Sequence, residues 1–145
     1  MNRAVLLACL TAALAAPAAA QQRVPLDVRA FLSLDRPTEP AISPDGRWVA
    51  YTVVTTDVNA NRRRQDLWLQ SVDSAAGRRI SADSLGGRSA RWSPDGRLIA
   101  YVNSRGGTPQ IWMYDVATRR HRQVTSLSTG ADGIVWSPSG RMLAF

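Results

Sequence analysis

The sequence predicts an all-β fold assembled from repeated four-stranded sheets, and three observations predict it. The first is a phrase that occurs three times: Ile42-Ser-Pro-Asp-Gly-Arg-Trp-Val-Ala-Tyr51, Trp92-Ser-Pro-Asp-Gly-Arg-Leu-Ile-Ala-Tyr101 and Trp136-Ser-Pro-Ser-Gly-Arg-Met-Leu-Ala-Phe145. The second is a trailing landmark, Asp66-Leu-Trp68-Leu-Gln-Ser-Val72 and Gln110-Ile-Trp112-Met-Tyr-Asp-Val116. Trp68 to Trp112 and Pro94 to Pro138 are both 44 residues, whereas Asp45 to Asp95 is 50, so the unit is 44 residues and the first copy carries six more around Asp57 to Gln65. The third is that Leu98-Ile-Ala-Tyr-Val102 is apolar on both faces. A sheet with one wet face would alternate; here both faces need cover, as when one sheet lies between two others. A unit of about 40–50 residues with these properties is a blade of a β-propeller.

Each unit reads as four short strands. In the second, Ser89–Ser93 leads into Pro94-Asp95-Gly96, where proline presets φ, aspartate suits the next turn position and glycine accepts positive φ. Arg97–Asn103 follows, then a turn through Ser104–Pro109, a strand over Gln110–Val116, a turn at Ala117–Arg120 and a short outer strand His121–Thr125. Turn signals every 8–12 residues fit this reading. The tryptophans at 68, 92, 112 and 136 recur at the repeat spacing and are expected to pack between blades. The expected fold is a partial β-propeller: blades at about 41–81 and 88–125, and the opening hairpin of a third over 132–145, which runs into the last residue. The chain is therefore expected to be the opening of a longer protein. Ahead of the array, 21–40 is a lead-in with a short helix at Leu26–Leu32, its Val28, Phe31 and Leu32 on one face.

Residues 1–20 are set apart. Arg3 supplies a positive start, Ala4 to Leu14 is almost wholly apolar, and Ala18-Ala19-Ala20 offers the small residues of a signal-peptidase site, so cleavage is expected between Ala20 and Gln21. The apolar run is too short to span a bilayer. The expected location is periplasmic or secreted, with no membrane anchor in the mature chain. Cys9, the single cysteine, lies in the signal, which leaves a mature chain without disulfide or thiol chemistry. All 18 basic residues are arginine, for a net charge of +7 that becomes +6 without Arg3. They are dispersed: Arg47, Arg97 and Arg141 share one slot of the repeat and Arg62-Arg63-Arg64 falls in the expected loop insertion. That dispersion speaks for a solvated surface and against a nucleic-acid partner.

No catalytic, cofactor or metal constellation emerges. His121, the only histidine, is expected on an outer strand at the surface. Gly87-Arg88-Ser89-Ala90 starts like a nucleophile elbow, but Arg91 replaces the required glycine and the segment is a strand. Without mature cysteine and with one histidine there is no zinc set. Gly86-Gly87 and Gly106-Gly107 read as turn residues. Asp45 and Asp95 are better explained by their turns than as paired acids, since Ser139 takes the third position.

The Ser-Pro-Asp-Gly phrase followed by a short apolar strand resembles the blades of the TolB translocation protein and of the prolyl oligopeptidase family of serine peptidases. Asp27-Val-Arg-Ala-Phe-Leu, Ser43-Pro-Asp-Gly-Arg-Trp-Val-Ala-Tyr51 and Asn61-Arg-Arg-Arg-Gln-Asp-Leu-Trp-Leu69 look like the mature N-terminus of bacterial acylaminoacyl-peptidase and dipeptidyl-peptidase-like members. The peptidase resemblance implies a hydrolase whose Ser-Asp-His triad lies on a C-terminal α/β-hydrolase domain absent from these residues, so this chain is expected to be inactive alone. It implies peptide substrates, no cofactor, and a propeller that covers the active site and limits access to short peptides. The TolB resemblance implies instead a non-catalytic module that binds protein.

Overall fold

A computed structural model of the chain describes residues 27–81, 86–104 and 107–145; the expected signal peptide lies outside them. Two four-stranded antiparallel sheets and one two-stranded hairpin follow a short helix, α1 (Val28–Leu32). Blade 1 is β1 (Arg36–Ile42), β2 (Trp48–Asp57), β3 (Arg62–Ser71) and β4 (Gly77–Arg79), in the order β1-β2-β3-β4. Blade 2 repeats that order with β5 (Arg88–Trp92), β6 (Leu98–Asn103), β7 (Gln110–Asp115) and β8 (His121–Gln123). The hairpin β9 (Val135–Trp136) and β10 (Leu143–Ala144) opens blade 3.

The turn chemistry operates as the sequence suggests, with one part the sequence reading left out. Gly46 N–H donates to Ser43 O and Gly96 N–H to Ser93 O, both at 2.9 Å, with φ of 71° and 70° at the glycines. The serine closes the turn from inside. Ser43 Oγ donates to Asp45 Oδ1 at 2.5 Å and accepts from Trp48 N–H at 2.9 Å; Ser93 does the same with Asp95 and Leu98. In the third turn Ser139 stands 3.2 Å from Ser137 Oγ, and Met142 N–H still reaches Ser137 Oγ at 3.0 Å.

Register decides which faces meet. Ala50 pairs with Leu69 and Thr52 with Leu67, so these four share a face of blade 1. All four are fully buried, and Ala50, Leu67 and Leu69 pack with Ala90, Ile99, Tyr101 and Tyr114 of blade 2. The opposite face of blade 2, with Ala100, Val102, Ile111 and Met113, packs on Ala131, Ile134, Trp136 and Leu143. Blade 2 thus has both faces covered, which accounts for its uninterrupted apolar strands. Trp48, Trp92 and Trp112 pack on the first of these cores and Trp136 on the second. Two indoles also tie blade to blade: Trp92 Nε1–H donates to Ala41 O at 2.9 Å and Trp136 Nε1–H to Arg91 O at 3.1 Å.

Three details differ from the sequence reading. The six extra residues of blade 1 do not form a loop. They lengthen β2 and β3, which stay paired from Val54↔Gln65 to Asp57↔Arg62, because Val53-Val-Thr-Thr56 is β-branched throughout. Arg62-Arg63-Arg64 is therefore strand, with the turn reduced to residues 58–61 and held by Asp57 Oδ1 accepting from Asn59 and Ala60 N–H. β1 starts at Arg36, within the expected lead-in. Helix α1 is capped by Asp27, yet Val28 and Phe31 face solvent, 74% and 54% exposed.

Candidate functional site

The two ends of the array differ in what they carry. At one end lie the Ser-Pro-Asp-Gly turns and the β3–β4 and β7–β8 turns. At the other lie the starts of β1 and β5, the β2–β3 turn, and the linkers between blades. The first strands are neighbours, with β1 against β5 and β5 against β9, so the side chains at their starts meet across blade boundaries.

Each first strand is irregular there. The register of β1 shifts between Thr38 and Ala41, and that of β5 between Arg88 and Arg91. The residues at the shifts, Glu39 and Ser89, have φ of 52° and 57°, and Gly133, 44 residues beyond Ser89, has 72°. The bulge re-aims each side chain. Glu39 Oε2 accepts from Ser89 N–H at 2.9 Å and Thr52 Oγ1 at 3.0 Å, and its Oε1 accepts from Ser89 Oγ at 3.1 Å. Burial pushes the Glu39 carboxyl up, but the Ser89 N–H, the Thr52 and Ser89 hydroxyls and the Arg88 charge outweigh it and hold it below its ordinary value. Arg88 Nη2 in turn meets Asp132 Oδ2 at 2.7 Å. That hydrogen bond, opposed by some desolvation, holds Asp132 below the usual carboxylate range.

Gly86 and Gly87, at the end of the first linker, are buried, as is Ala131 at the end of the second. Gly86 has φ 75°, and Gly87 N–H donates to Gln65 O at 2.8 Å; a Cβ on Gly86 would lie 1.8 Å from that same oxygen. Gly130 and Ala131 repeat the arrangement on Pro109 O. Gly86, expected as a turn residue, and Gly130 are close-approach positions where the chain passes from blade to blade. Beneath them sits a buried polar slot. Asp66 accepts from Ser81 Oγ at 3.1 Å and meets Arg64 Nε at 2.7 Å and Arg79 Nη1 at 3.5 Å. Gln110, 44 residues on, accepts from Thr125 Oγ1 at 2.7 Å and Leu127 N–H at 3.0 Å, and donates to Leu127 O at 2.7 Å.

A cavity of about 400 Å³ opens at this end, between the long β2–β3 hairpin and blade 2. Val54, Arg63 and Gln65 line one wall and Arg88, Val102 and Ser104 the other.

The residues weighed in the sequence fall as follows. Ser89 is on β5, its hydroxyl committed to Glu39. Asp45 and Asp95 are in the turns, held below the ordinary carboxylate value first by their serines and then by the Arg47 and Arg97 N–H groups. His121 is half-buried rather than at the surface. Its ring lies 4.7 Å from that of Tyr114, and Nδ1 is 3.0 Å from the buried Tyr101 hydroxyl. Among the described residues no three His, Cys, Asp or Glu side chains gather as a metal site, and no helix is long and apolar enough to cross a membrane. The Glu39–Ser89 bridge and the Asp66/Gln110 slot escaped sequence reasoning, although the 44- and 50-residue offsets already aligned their members.

Stacked four-stranded sheets with inner strands side by side define the class: these residues are blades of a β-propeller. In a search of known proteins, no family model matches the chain. It is 31% identical over 78 residues to dipeptidyl-peptidase 5 of Porphyromonas gingivalis, which is 54% of this chain and 11% of that protein. Among solved structures it is similar to an acylaminoacyl peptidase of Pyrococcus horikoshii, with a TM-score of 0.65 and 22% identity over 78% of this chain and 17% of the other. The β-propeller domain of the Trilobed protease from Pyrococcus furiosus matches with a TM-score of 0.60 and 21% identity, covering 75% and 32%. TolB from Acinetobacter baumannii matches with a TM-score of 0.51 and 19% identity, covering 76% and 37%. The chain resembles the propellers of prolyl oligopeptidase-family peptidases in both sequence and fold, and it spans about a tenth of the curated relative and a sixth of the first peptidase structure.

Proposed function

We propose that this chain is the N-terminal propeller segment of a secreted or periplasmic serine peptidase that acts on short peptides. The observation that carries the reading is the sequence match to a dipeptidyl peptidase, on blades with the same stacking as those of peptidase propellers. In this reading residues 1–20 are a signal peptide cleaved after Ala20, and hydrolysis belongs to an α/β-hydrolase domain encoded after Phe145. The propeller stands over that domain and limits access to short peptides or flexible chain ends. The inter-blade contacts at Glu39, Ser89, Arg88 and Asp132 support a rigid scaffold role for the first strands. The mature chain has no nucleic-acid partner and no membrane anchor in this reading.

The coding sequence beyond Phe145 tests the proposal. A Gly-x-Ser-x-Gly elbow some hundreds of residues on, with aspartate and histidine downstream, is the expected finding; a stop after four to eight blades would sink it. The 145-residue chain itself is expected to leave aminoacyl and dipeptidyl chromogenic substrates intact, and turnover abolished by a serine-directed inhibitor would contradict this. The similarity to TolB keeps a second reading, a non-catalytic propeller that binds protein, which that same stop codon would favour.

A further inference from the structure

The long hairpin of blade 1 is the one large departure from the repeat, and the repeat does not explain it. β2 and β3 are ten residues each, whereas β6 and β7 are six. The extension projects beyond the sheet, is exposed from Arg62 to Gln65, and overhangs the start of blade 2 to form the 400 Å³ cavity. Core packing would have used apolar residues here; the extension carries three arginines instead.

Register sorts those arginines. Val54 pairs with Gln65 and Thr56 with Arg63, so Val54, Gln65 and Arg63 share the face turned to blade 2. Arg64 lies on the other face and is taken by Asp66. Across the cavity stands Arg88, with Asp132 and Ser89 occupying its two terminal nitrogens. Arg63 has no carboxylate partner among the described residues. The cavity therefore has on one wall the Arg63 guanidinium, unpaired among the described residues, on the other the Arg88 side chain held by Asp132 and Ser89, with Val54, Gln65 and Ser104 beside them. A planar guanidinium donates two parallel hydrogen bonds to a carboxylate, and a site half-screened from water strengthens that attraction.

We infer that this cleft binds the carboxylate of a short peptide, with Arg63 as the principal donor and Arg88 as the fixed charge opposite. The choice of a peptide as carrier rests on the proposed peptidase reading; the carboxylate chemistry rests on the cleft alone. Binding needs no hydrolysis, so the assay is separable from the fate of that reading, which the downstream coding sequence decides.

The test uses the 145-residue chain immobilised on a biosensor, so that self-association does not enter the signal. The analytes are acetyl-Ala-Ala-Ala with a free C-terminus, its C-terminal amide, and acetyl-Ala-Asp-Ala-amide. The expected result is binding of at least one carboxylate peptide tenfold or more tighter than the neutral amide; whichever carries it identifies terminus or side chain as the source. Raising salt weakens that binding. Arg63→Gln abolishes the preference, while Arg120→Gln, which removes an exposed charge at the opposite end, leaves it intact. The Arg63 side chain makes no hydrogen bond or ion pair among the described residues, so unchanged near-ultraviolet dichroism of the tryptophans is expected for that variant. Equal binding of the neutral amide, equal loss in Arg120→Gln, or inorganic phosphate competing as well as the carboxylate peptide would each overturn the inference.

Discussion

Blades 1 and 2 fill one structural slot with opposite chemistry. Asp66 and Gln110 are 44 residues apart, both buried, and both join the third strand of a blade to the linker that leaves it. Blade 1 uses a carboxylate flanked by Arg64 and Arg79; blade 2 uses a neutral amide satisfied by Thr125 and Leu127. Ser81 and Thr125 hold the same place in both, each accepting from the backbone N–H of the residue after the buried polar group. What is common is therefore the demand that buried backbone and linker groups be paired, not the residue that meets it. Blade 1, whose outer face no described blade covers, uses ions with half-exposed partners. Blade 2, covered on both faces, uses a group that carries no charge to desolvate.

The comparison can be broken at several points. The largest effect is expected from Gly86→Ala. Its Cβ would fall 1.8 Å from Gln65 O at φ 75°, whereas at Gly130 the nearest contact is 3.0 Å. We expect a loss of roughly 3–4 kcal/mol for Gly86→Ala against about 1–2 for Gly130→Ala in urea unfolding; equal losses would mean that the two linkers do not differ in closeness. Next, Asp66→Ala and Gln110→Ala should each cost about 1–3 kcal/mol, by leaving buried donors unpaired. Salt should change the penalty for Asp66→Ala and not that for Gln110→Ala. Smaller still, Trp92→Phe should cost about 1 kcal/mol by removing the donor to Ala41 O, with less lost in Trp136→Phe because Trp136 sits on the thinner hairpin. The smallest effect sharpens the contrast between turns. Ser139→Asp should raise the unfolding midpoint slightly at neutral pH by restoring the Asp45 and Asp95 geometry. Those carboxyls are held below their ordinary value in the folded chain. Their contribution is thus complete above the unfolded value and disappears as pH falls through the lower folded one, so the gain should begin to shrink as pH falls below about 4 and be gone only below the folded value.

Much of this architecture was legible because the turns repeat as words. Ser43-Pro-Asp-Gly46 and Ser93-Pro-Asp-Gly96 state their own geometry, and the fixed spacing of Trp68 and Trp112 set the blade length. The left-handed positions at 39, 89 and 133, the first two of them bulges, were not legible, since Glu, Ser and Gly share no chemistry; what recurs there is a left-handed backbone, which only glycine advertises. The buried slot stayed hidden for the same reason, with Asp and Gln in equivalent places. The hairpin extension was visible as six surplus residues, but its arginines masked the β-branched run of Val53 to Thr56 that keeps it paired. The cleft above Arg88 could not be read at all, because it depends on residues from two blades brought together by stacking.

The two indole hydrogen bonds run in one direction. In each, the later unit supplies the N–H, from Trp92 or Trp136, and the earlier unit supplies the carbonyl, at Ala41 or Arg91. A nascent chain leaves the ribosome N-terminus first, so every acceptor exists before its donor is made. Each completed sheet can then act as the template on which the next one finds its register, and ordering keeps pace with synthesis instead of waiting for its end.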